Sequence, residues 1–441
     1  MHKICQQFIK EAKGTFAVLL IKSDEEKIWA IKRDSPLVLG ICEKENILAS
    51  DIYAFSDKTN KAIFFEDNEF AEITQNDYQF YDTNGKKIEK EPITVEWSQE
   101  EELKQNYPHY MIKEIKEQPV SSERLIKSFA TTQKNRFDMI IKLIKNHKNI
   151  VFVACGTSYH ASLIGAILLT KLGINARTVI ASESETFIHF NKDTLCIAIS
   201  QSGETMDAVT VLKNAKEKGA KIVSIVNVPH STIQRLSSVS IEILAGQEIC
   251  VASTKTYTNQ LITMFEIARR LGYETEIDRI PGKIQEMINS NEENIKKLAS
   301  ELFNKNDMFI IGRNICYPIA REIALKLKEI SYIHAEGMMG GELKHGTIAL
   351  IEQGTPVIAL IPNNNQQIMS NAKEVEARGA RVIIISNTSE TKGAIQTPES
   401  DDAEFAIYAC VAGHLLSYYI ALIRGLPIDR PRNLAKSVTV N

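Results

Sequence analysis

Three hydroxyl side chains and a glycine occupy the segment 200–205, which reads Ser-Gln-Ser-Gly-Glu-Thr. A short apolar run precedes the segment and apolar residues at helical spacing follow it, which predicts a strand, a loop and a helix in succession. The N–H groups of a first helical turn have no partner within the helix and attract anions. We therefore predict that Ser200, Ser202 and Thr205 hold an anion. Because the segment contains no Lys or Arg, a phosphate monoester of a small metabolite fits better than a nucleoside triphosphate.

A second loop with hydroxyl groups, 155–158, reads Cys-Gly-Thr-Ser and follows the apolar run 149–154. The carboxyl ends of neighbouring parallel strands meet at one edge of a sheet, so Thr157 and Ser158 are expected to face the same crevice as the first loop. Residues 246–255 form a third candidate wall. For each loop taken alone, a turn or a helix start capped by Ser or Thr remains the alternative.

Charged residues on a predicted helix are candidates for acid–base chemistry. Glu322, Lys326 and Glu329 fall at i, i+4 and i+7 of a helix predicted over residues 319–330, and so lie on one face. Such a charged face is also typical of a helix side that meets solvent. The pattern alone favours the solvated face.

Two later segments each contain one candidate side chain. The glycine-rich stretch 334–346 contains His345, and histidine is a residue type that can act as an acid or a base near neutral pH. The tail 431–441 contains an isolated lysine, Lys436. For the tail, the pattern alone favours a frayed terminus.

An internal repeat predicts the fold that positions these residues. The strand-like runs 149–156, 196–200 and 221–227 have counterparts in the same order at 307–312, 356–361 and 381–387. Near-continuous apolar strands that alternate with amphipathic helices require a parallel sheet covered on both faces. We predict an α/β fold with two tandem doubly wound domains and the ligand at the carboxyl ends of the strands.

Composition suggests how the rest of the chain is divided. Residues 1–95 contain short apolar runs typical of strands, and the Glu-, Lys- and Gln-rich residues 96–120 are typical of a linker. We expect the first α/β domain over 121–290, the second over 291–425 and a C-terminal tail over 426–441.

Bulk properties argue against several classes of protein. A net charge of −3 gives no basic surface for nucleic acid, and the seven cysteines lack the C-x-x-C pairs of a metal site. The apolar segment 405–423 is about long enough to cross a bilayer, but its Gly, His, Ser and Tyr residues favour a buried core helix. We expect a cytoplasmic protein that uses no metal or cofactor and binds no membrane.

Six segments, taken together, resemble one known family. They are Ala154–Tyr159, Ser200–Thr205, Val251–Lys255, Ala324–Glu336, Gly341–Gly346 and Pro431–Val440. In this order, from about Tyr107 to the C-terminus, they resemble the isomerase part of the glutamine:fructose-6-phosphate amidotransferases, the glucosamine-6-phosphate synthase family. The resemblance implies two sugar-isomerase (SIS) domains, in agreement with the repeat.

The resemblance also implies a substrate, fructose 6-phosphate, and a role for each candidate. Lys436 would form a Schiff base with the C2 carbonyl, and Glu329 would move a proton between C1 and C2 with support from Lys326 and Glu322. His345 would open the sugar ring from a neighbouring subunit, which requires at least a dimer. The implied contacts of the phosphate and sugar are Ser200, Gln201, Ser202, Thr205, Thr157, Ser158, Val251 and Ala435.

Residues 1–95 resemble only the later part of the family's Ntn-type glutaminase domain. A glutaminase of this type begins with a cysteine whose own amine activates the thiol, whereas this chain begins Met-His-Lys-Ile-Cys5. We expect no glutamine hydrolysis by this chain. The nitrogen would come from a separate glutaminase subunit or from free ammonia, unless the reading frame is truncated.

The same fold also permits other functions. A sugar-phosphate sensor without catalysis, or a deaminase or other sugar isomerase, could use the same fold.

Thr347 stands where the family usually has Pro, and Cys250 stands where it usually has Gly. Of the two, Cys250 could restrict the backbone of its loop.

Overall fold

A computed structural model describes residues 1–95, 104–391 and 393–438. Within them the chain divides into two compact units, of which the first contains residues 1–95, 204–206 and 437–438 and the second contains the remainder. The first eight residues of the expected linker, 96–103, and the last three of the expected tail, 439–441, lie outside the described residues.

The described residues of the first unit form two antiparallel sheets, one α-helix and a short 3₁₀ helix, Ile52–Phe55. The strand orders are β1-β2-β6-β7-β8 and β4-β3-β5-β9. Apolar side chains of the two sheets pack on each other, and α1 packs on the opposite face of the first sheet. The short apolar runs of the sequence form these strands. The elements are α1 (His2–Glu11), β1 (Phe16–Ile21), β2 (Ile28–Arg33), β3 (Val38–Ile41), β4 (Asn46–Ala49), β5 (Lys61–Phe64), β6 (Glu69–Ile73), β7 (Tyr78–Tyr81), β8 (Lys87–Ile88) and β9 (Ile93–Thr94).

The second unit begins with three helices and a parallel sheet. The helices occupy the C-terminal part of the expected linker and the residues that follow it. They are α2 (Tyr110–Lys116), α3 (Gln118–Phe129) and α4 (Lys134–Asn146). The sheet and its helices are β10 (Asn149–Ala154), α5 (Gly156–Lys171), β11 (Ala176–Ile180), α6 (Ser184–Phe187), β12 (Thr194–Ser200), α7 (Met206–Glu217), β13 (Lys221–Val226), α8 (Thr232–Leu236), β14 (Val239–Glu242) and α9 (Lys255–Arg270).

A second parallel sheet follows in the same unit. Its elements are α10 (Ile280–Leu302), β15 (Asp307–Gly312), α11 (Cys316–Lys326), β16 (His334–Met339), β17 (Pro356–Ile361), α12 (Gln366–Glu376), β18 (Arg381–Ser386), β19 (Ile395–Gln396) and α13 (Asp402–Ile423). A π-helical turn, Leu327–Ser331, continues α11, and two short 3₁₀ helices, Glu342–His345 and Thr347–Leu350, precede β17.

The two parallel sheets have the same topology, which confirms the predicted repeat. Their strand orders are β11-β10-β12-β13-β14 and β16-β15-β17-β18-β19, and every pair is parallel. The first and third strands of each sheet are neighbours, and the chain adds its later strands on the opposite side from the second strand. At such a point a crevice opens at the carboxyl ends of the two neighbouring strands. In the first sheet those neighbours are β10 and β12, so the loops that follow them lie side by side.

Helix α13 is the apolar segment that is long enough to cross a membrane. Of its most apolar 18-residue window, 89% is buried within the protein. Its side chains join a hydrophobic core that includes residues of both parallel sheets and of α3, α5, α9, α10 and α11. This burial is what a core helix requires, in agreement with the sequence-based interpretation of residues 405–423.

Close packing of β16 on α11 fixes the helix that carries Glu322 and Lys326. A Cβ atom added at Gly337 of β16 would lie 2.3 Å from the carbonyl oxygen of Ala320 on α11. Backbone atoms cannot move aside as a flexible side chain can. We therefore expect Gly337→Ala to lower the free energy of unfolding by about 1–3 kcal/mol, measured by urea denaturation.

Gly282→Ala is the matched control, because a Cβ at Gly282 in α10 would meet no atom within 4 Å. This variant should be neutral or more stable by up to about 1 kcal/mol, since alanine favours a helix over glycine. Equal effects of the two substitutions would contradict the close approach of β16 and α11.

Candidate active site

A buried carboxylate joins the two α/β halves of the second unit. Glu322 on α11 is fully buried and accepts hydrogen bonds from the hydroxyl of Thr157 at 3.1 Å and from Nδ1 of His160 at 2.7 Å, both on α5. Its carboxylate also lies 3.3 Å from Nζ of Lys326. Burial by itself would raise the pKa of Glu322, but Lys326 and His160 lower this pKa to about 2. Glu322 is therefore ionised at neutral pH.

Lys326 connects this carboxylate to Glu329. Its ammonium donates to Glu329 at 2.5 Å and to the hydroxyl of Thr157 at 3.1 Å. Burial favours the neutral amine, but the two carboxylates outweigh it and raise the pKa of Lys326. Glu329 lies on the π-helical turn and its side chain is 19% exposed, whereas Lys326 is fully buried. Such turns often occur at functional sites.

The face that carries Glu322 and Lys326 is therefore buried, and the solvated-face alternative is wrong for these two residues. Their partners Thr157 and His160 lie on another helix, so the pattern on α11 alone could not reveal them. His160 was missed by the sequence analysis. A usable signal was its i, i+3 spacing from Thr157, which places both side chains on one face at the start of α5.

The loop after β12 makes a tight turn. The N–H of Gly203 donates to the hydroxyl oxygen of Ser200 at 2.9 Å. Gly203 has φ +68°, and a Cβ there would lie 2.0 Å from the hydroxyl of Ser231, so this position requires glycine. Ser200 and Ser202 are buried, whereas Gln201 and Thr205 are partly exposed.

Two further hydrogen bonds involve residues that follow β10 and the Ser200–Thr205 segment. Ser158 lies in the first turn of α5, directly after β10, where it is buried and its hydroxyl accepts a hydrogen bond from Nε2 of Gln260 at 2.9 Å. At the end of the Ser200–Thr205 segment, the N–H of Met206 donates to the carbonyl of Val438 at 3.1 Å. Part of the C-terminal tail is thus fixed rather than frayed.

Lys436 is anchored by a carboxylate that the sequence analysis did not single out. Its ammonium donates to Oε2 of Glu248 at 2.6 Å and to the carbonyl of Cys250 at 2.7 Å. Glu248 also accepts from the N–H groups of Thr254 at 2.8 Å and Thr256 at 3.2 Å. Glu248, and not a Ser253 or Thr254 side chain, therefore satisfies the start of α9. An acidic residue shortly before a predicted helix was the available signal.

The remaining candidates occupy separate positions. His345 is exposed on its 3₁₀ helix, and among the described contacts no hydrogen bond or ion pair joins it to another candidate residue. Val251 donates its N–H to the carbonyl of Asp429 at 3.1 Å, and Ala435 is exposed beside Lys436. Cys250 does not adopt a positive φ, so its backbone is not one that requires glycine.

The ionised state of Glu322 predicts a specific dependence of stability on pH. The native carboxyl binds a proton more weakly than the unfolded one, so its contribution is complete above about pH 4.5 and is lost as the pH falls toward 2. This contribution is of the order of 3 kcal/mol. We expect Glu322→Gln to lower the free energy of unfolding by about that amount at pH 7 and by much less at pH 3, measured by urea denaturation.

Glu376→Gln serves as the control, because Glu376 is exposed on α12. This variant should follow the wild-type pH dependence. If Glu322→Gln destabilised the protein equally at pH 7 and pH 3, the native Glu322 would not be an ionised, ion-paired group.

Comparisons with known proteins show the family of this chain. The SIS domain family model matches residues 143–265 and 301–419. The chain is 41% identical to a glutamine–fructose-6-phosphate aminotransferase (isomerizing) of Thermococcus kodakarensis and 39% identical to one of Clostridium acetobutylicum. Each alignment covers 98% of this chain, and 75% and 76% of the respective relatives.

A solved structure extends the comparison to three dimensions. The C-terminal domain of glucosamine-fructose-6-phosphate aminotransferase from Francisella tularensis superposes with a TM-score of 0.66 at 32% identity. The superposition covers 75% of this chain and all of that domain. The chain therefore belongs to the glutamine–fructose-6-phosphate aminotransferase (isomerizing) family and contains two SIS domains.

Proposed function

We propose that this protein isomerises and aminates D-fructose 6-phosphate to give D-glucosamine 6-phosphate. The observation that carries the proposal is that one unit contains both a partly exposed lysine on a buried carboxylate, Lys436 with Glu248, and a lysine-held carboxylate, Glu329 with Lys326. An amine that can form an imine and a carboxylate that can move a proton are the two groups this conversion needs.

In the proposed complex the phosphate binds at the hydroxyl loop. The rest of the open-chain sugar extends toward Lys436, and a second copy of the chain contributes His345 to open the sugar ring, so the active form is at least a dimer. The exposure of His345 supports this arrangement. The residues that contact phosphate and sugar are Ser200, Gln201, Ser202, Thr205, Thr157, Ser158, Val251 and Ala435.

The chemical steps balance without a cofactor. The amine of Lys436 adds to C2 of the ketone, and water leaves as the iminium forms. Ammonia then replaces the lysine at C2. Glu329 removes a proton from C1 and delivers one to C2, and the C1 hydroxyl releases its proton to water, which yields the aldehyde at C1 and the amine at C2. In total, fructose 6-phosphate and ammonia give glucosamine 6-phosphate and water.

Ammonia reaches this reaction from a separate glutaminase subunit or from solution in the cytoplasm. Cys5 of this chain is fully buried in α1, and burial raises the pKa of its thiol, so it is a poor nucleophile for glutamine. We assign residues 1–95 to the later part of a glutaminase-type domain, 121–290 and 291–425 to the SIS domains, and 426–441 to an active-site tail.

Lys436 provides the direct test of this function. The full chain with fructose 6-phosphate and ammonium should form glucosamine 6-phosphate, and borohydride should trap the sugar on Lys436, as located by mass spectrometry. Lys436→Ala should bind substrate but trap no adduct and lose at least about 100-fold in rate, because the amine that forms the imine is gone. Lys142→Ala, an exposed lysine on α4, is the control that should change neither result. The proposal fails if the wild-type protein yields no hexosamine with either ammonium or glutamine.

Glu329→Gln should separate imine formation from proton transfer. The amide keeps the size of the side chain but cannot take up the C1 proton, so the rate of glucosamine 6-phosphate formation should fall about 100-fold or more. Borohydride trapping on Lys436 should persist. Loss of trapping together with turnover would assign Glu329 to binding rather than proton transfer. A sensor without catalysis would show no turnover in either protein.

A further inference from the structure

We propose that Glu248 is a positioning residue that acts through Lys436: it is the counter-ion of the lysine both as a free ammonium and as the iminium joined to substrate. This inference rests on the proposed function, since it assumes that Lys436 forms the imine. It adds a residue that the family motifs quoted above do not contain.

The geometry around Glu248 is that of a fixed anion. Its side chain is fully buried and accepts from two N–H groups at the start of α9 and from the hydroxyl of Thr256 at 2.8 Å. Lys436 supplies the remaining donor, on the same oxygen, Oε2, that accepts from Thr256. Among the described contacts, the other donors to Glu248 lie at the start of α9, and Lys436 is its partner on the tail.

A second buried carboxyl group, that of Glu114 on α2, supports the loop that follows Glu248. Its Oε1 accepts from the N–H groups of Ile249 at 2.6 Å and Cys250 at 3.2 Å. Cys250 in turn presents its carbonyl to Lys436 at 2.7 Å. Burial and the charge of Glu248 raise the pKa of Glu114 to about 8, so Glu114 is largely neutral at pH 7. Glu248 is thus the charged member of this pair.

The charge of the lysine explains why a permanent anion suits this position. An ammonium and a ketone combine to give an iminium and water, so one positive charge is present before and after the step. A buried carboxylate left without a cation costs several kcal/mol. Glu248 therefore keeps Lys436 in place until substrate arrives, stabilises the iminium, and draws the lysine back when ammonia displaces it.

This role makes imine formation depend on pH through Glu248. The lysine nitrogen attacks C2 through its lone pair, and a carboxylate oxygen of Glu248 lies 2.6 Å from that nitrogen. Other titratable and charged groups around Glu248 and Lys436 also contribute to the local electrostatics. They are Glu114, Cys250, Lys255, His414 and Asp429. None of them donates a hydrogen bond to Glu248 among the described contacts.

The test is the rate of reductive trapping of fructose 6-phosphate on Lys436 as a function of pH, with cyanoborohydride as reductant. In Glu248→Gln the amide oxygen can still accept from the start of α9 but the negative charge is gone. The acid limb of its profile should move about one pH unit lower. In Thr256→Val the competing hydroxyl donor to Oε2 is removed, so Lys436 is held more firmly and the limb should move higher.

Glu117→Gln is the control, because this carboxylate accepts from Lys113 and Lys255 rather than from Lys436. Its limb should match the wild-type limb. If Glu248 did no more than cap α9, Glu248→Gln would lower the melting temperature and the plateau rate of trapping but would not move the acid limb. That result would overturn the inference. If Glu248→Gln does not fold, Thr256→Val decides alone, and an unmoved limb overturns the inference. Absence of any wild-type adduct would instead refute the proposed function.

Discussion

The hydrogen-bonded carboxylate of Glu322 is the interaction on which the rest of the site depends. A fully buried charge is costly unless it is paired and hydrogen-bonded. Thr157 and His160 come from the first SIS domain, and Lys326 comes from the second, so the charge is satisfied only when α5 and α11 are correctly aligned. The same alignment sets the position of Lys326 and therefore of Glu329. The need to neutralise the buried charge of Glu322 therefore also fixes the position of Glu329.

A second buried carboxylate, Glu248, has the same requirement but a different kind of partner. Its cation is Lys436, on a tail rather than within a helix. Both carboxylates act electrostatically on His414, a fully buried residue of α13 whose pKa burial lowers to about 4. A neutral histidine in the core helix thus lies within electrostatic reach of two anions. The cluster around Glu322 is held within helices, whereas the one around Glu248 includes a lysine that can leave for substrate.

Much of the fold followed from the sequence because apolar strands and their spacing are local properties. The repeat predicted two parallel sheets, and the hydroxyl-bearing segments follow β10 and β12 as predicted, although residues 156–158 form the first turn of α5 and not a loop. The charged partners could not be predicted in the same way. Glu322 meets His160 across 162 residues of sequence, and Glu248 meets Lys436 across 188. A helix-face argument assumes that charges face water, and it fails where a distant segment supplies the opposite charge.

The most direct measurement follows a hydrogen atom from C1 to C2. Fructose 6-phosphate with deuterium at both C1 positions would be converted with ammonium in ordinary water, and the product would be analysed by NMR. Because Glu329 is held by Lys326 and is only 19% exposed, the account predicts that part of the glucosamine 6-phosphate carries deuterium at C2. A product with solvent hydrogen alone at C2 would contradict proton transfer by one carboxylate shielded from water.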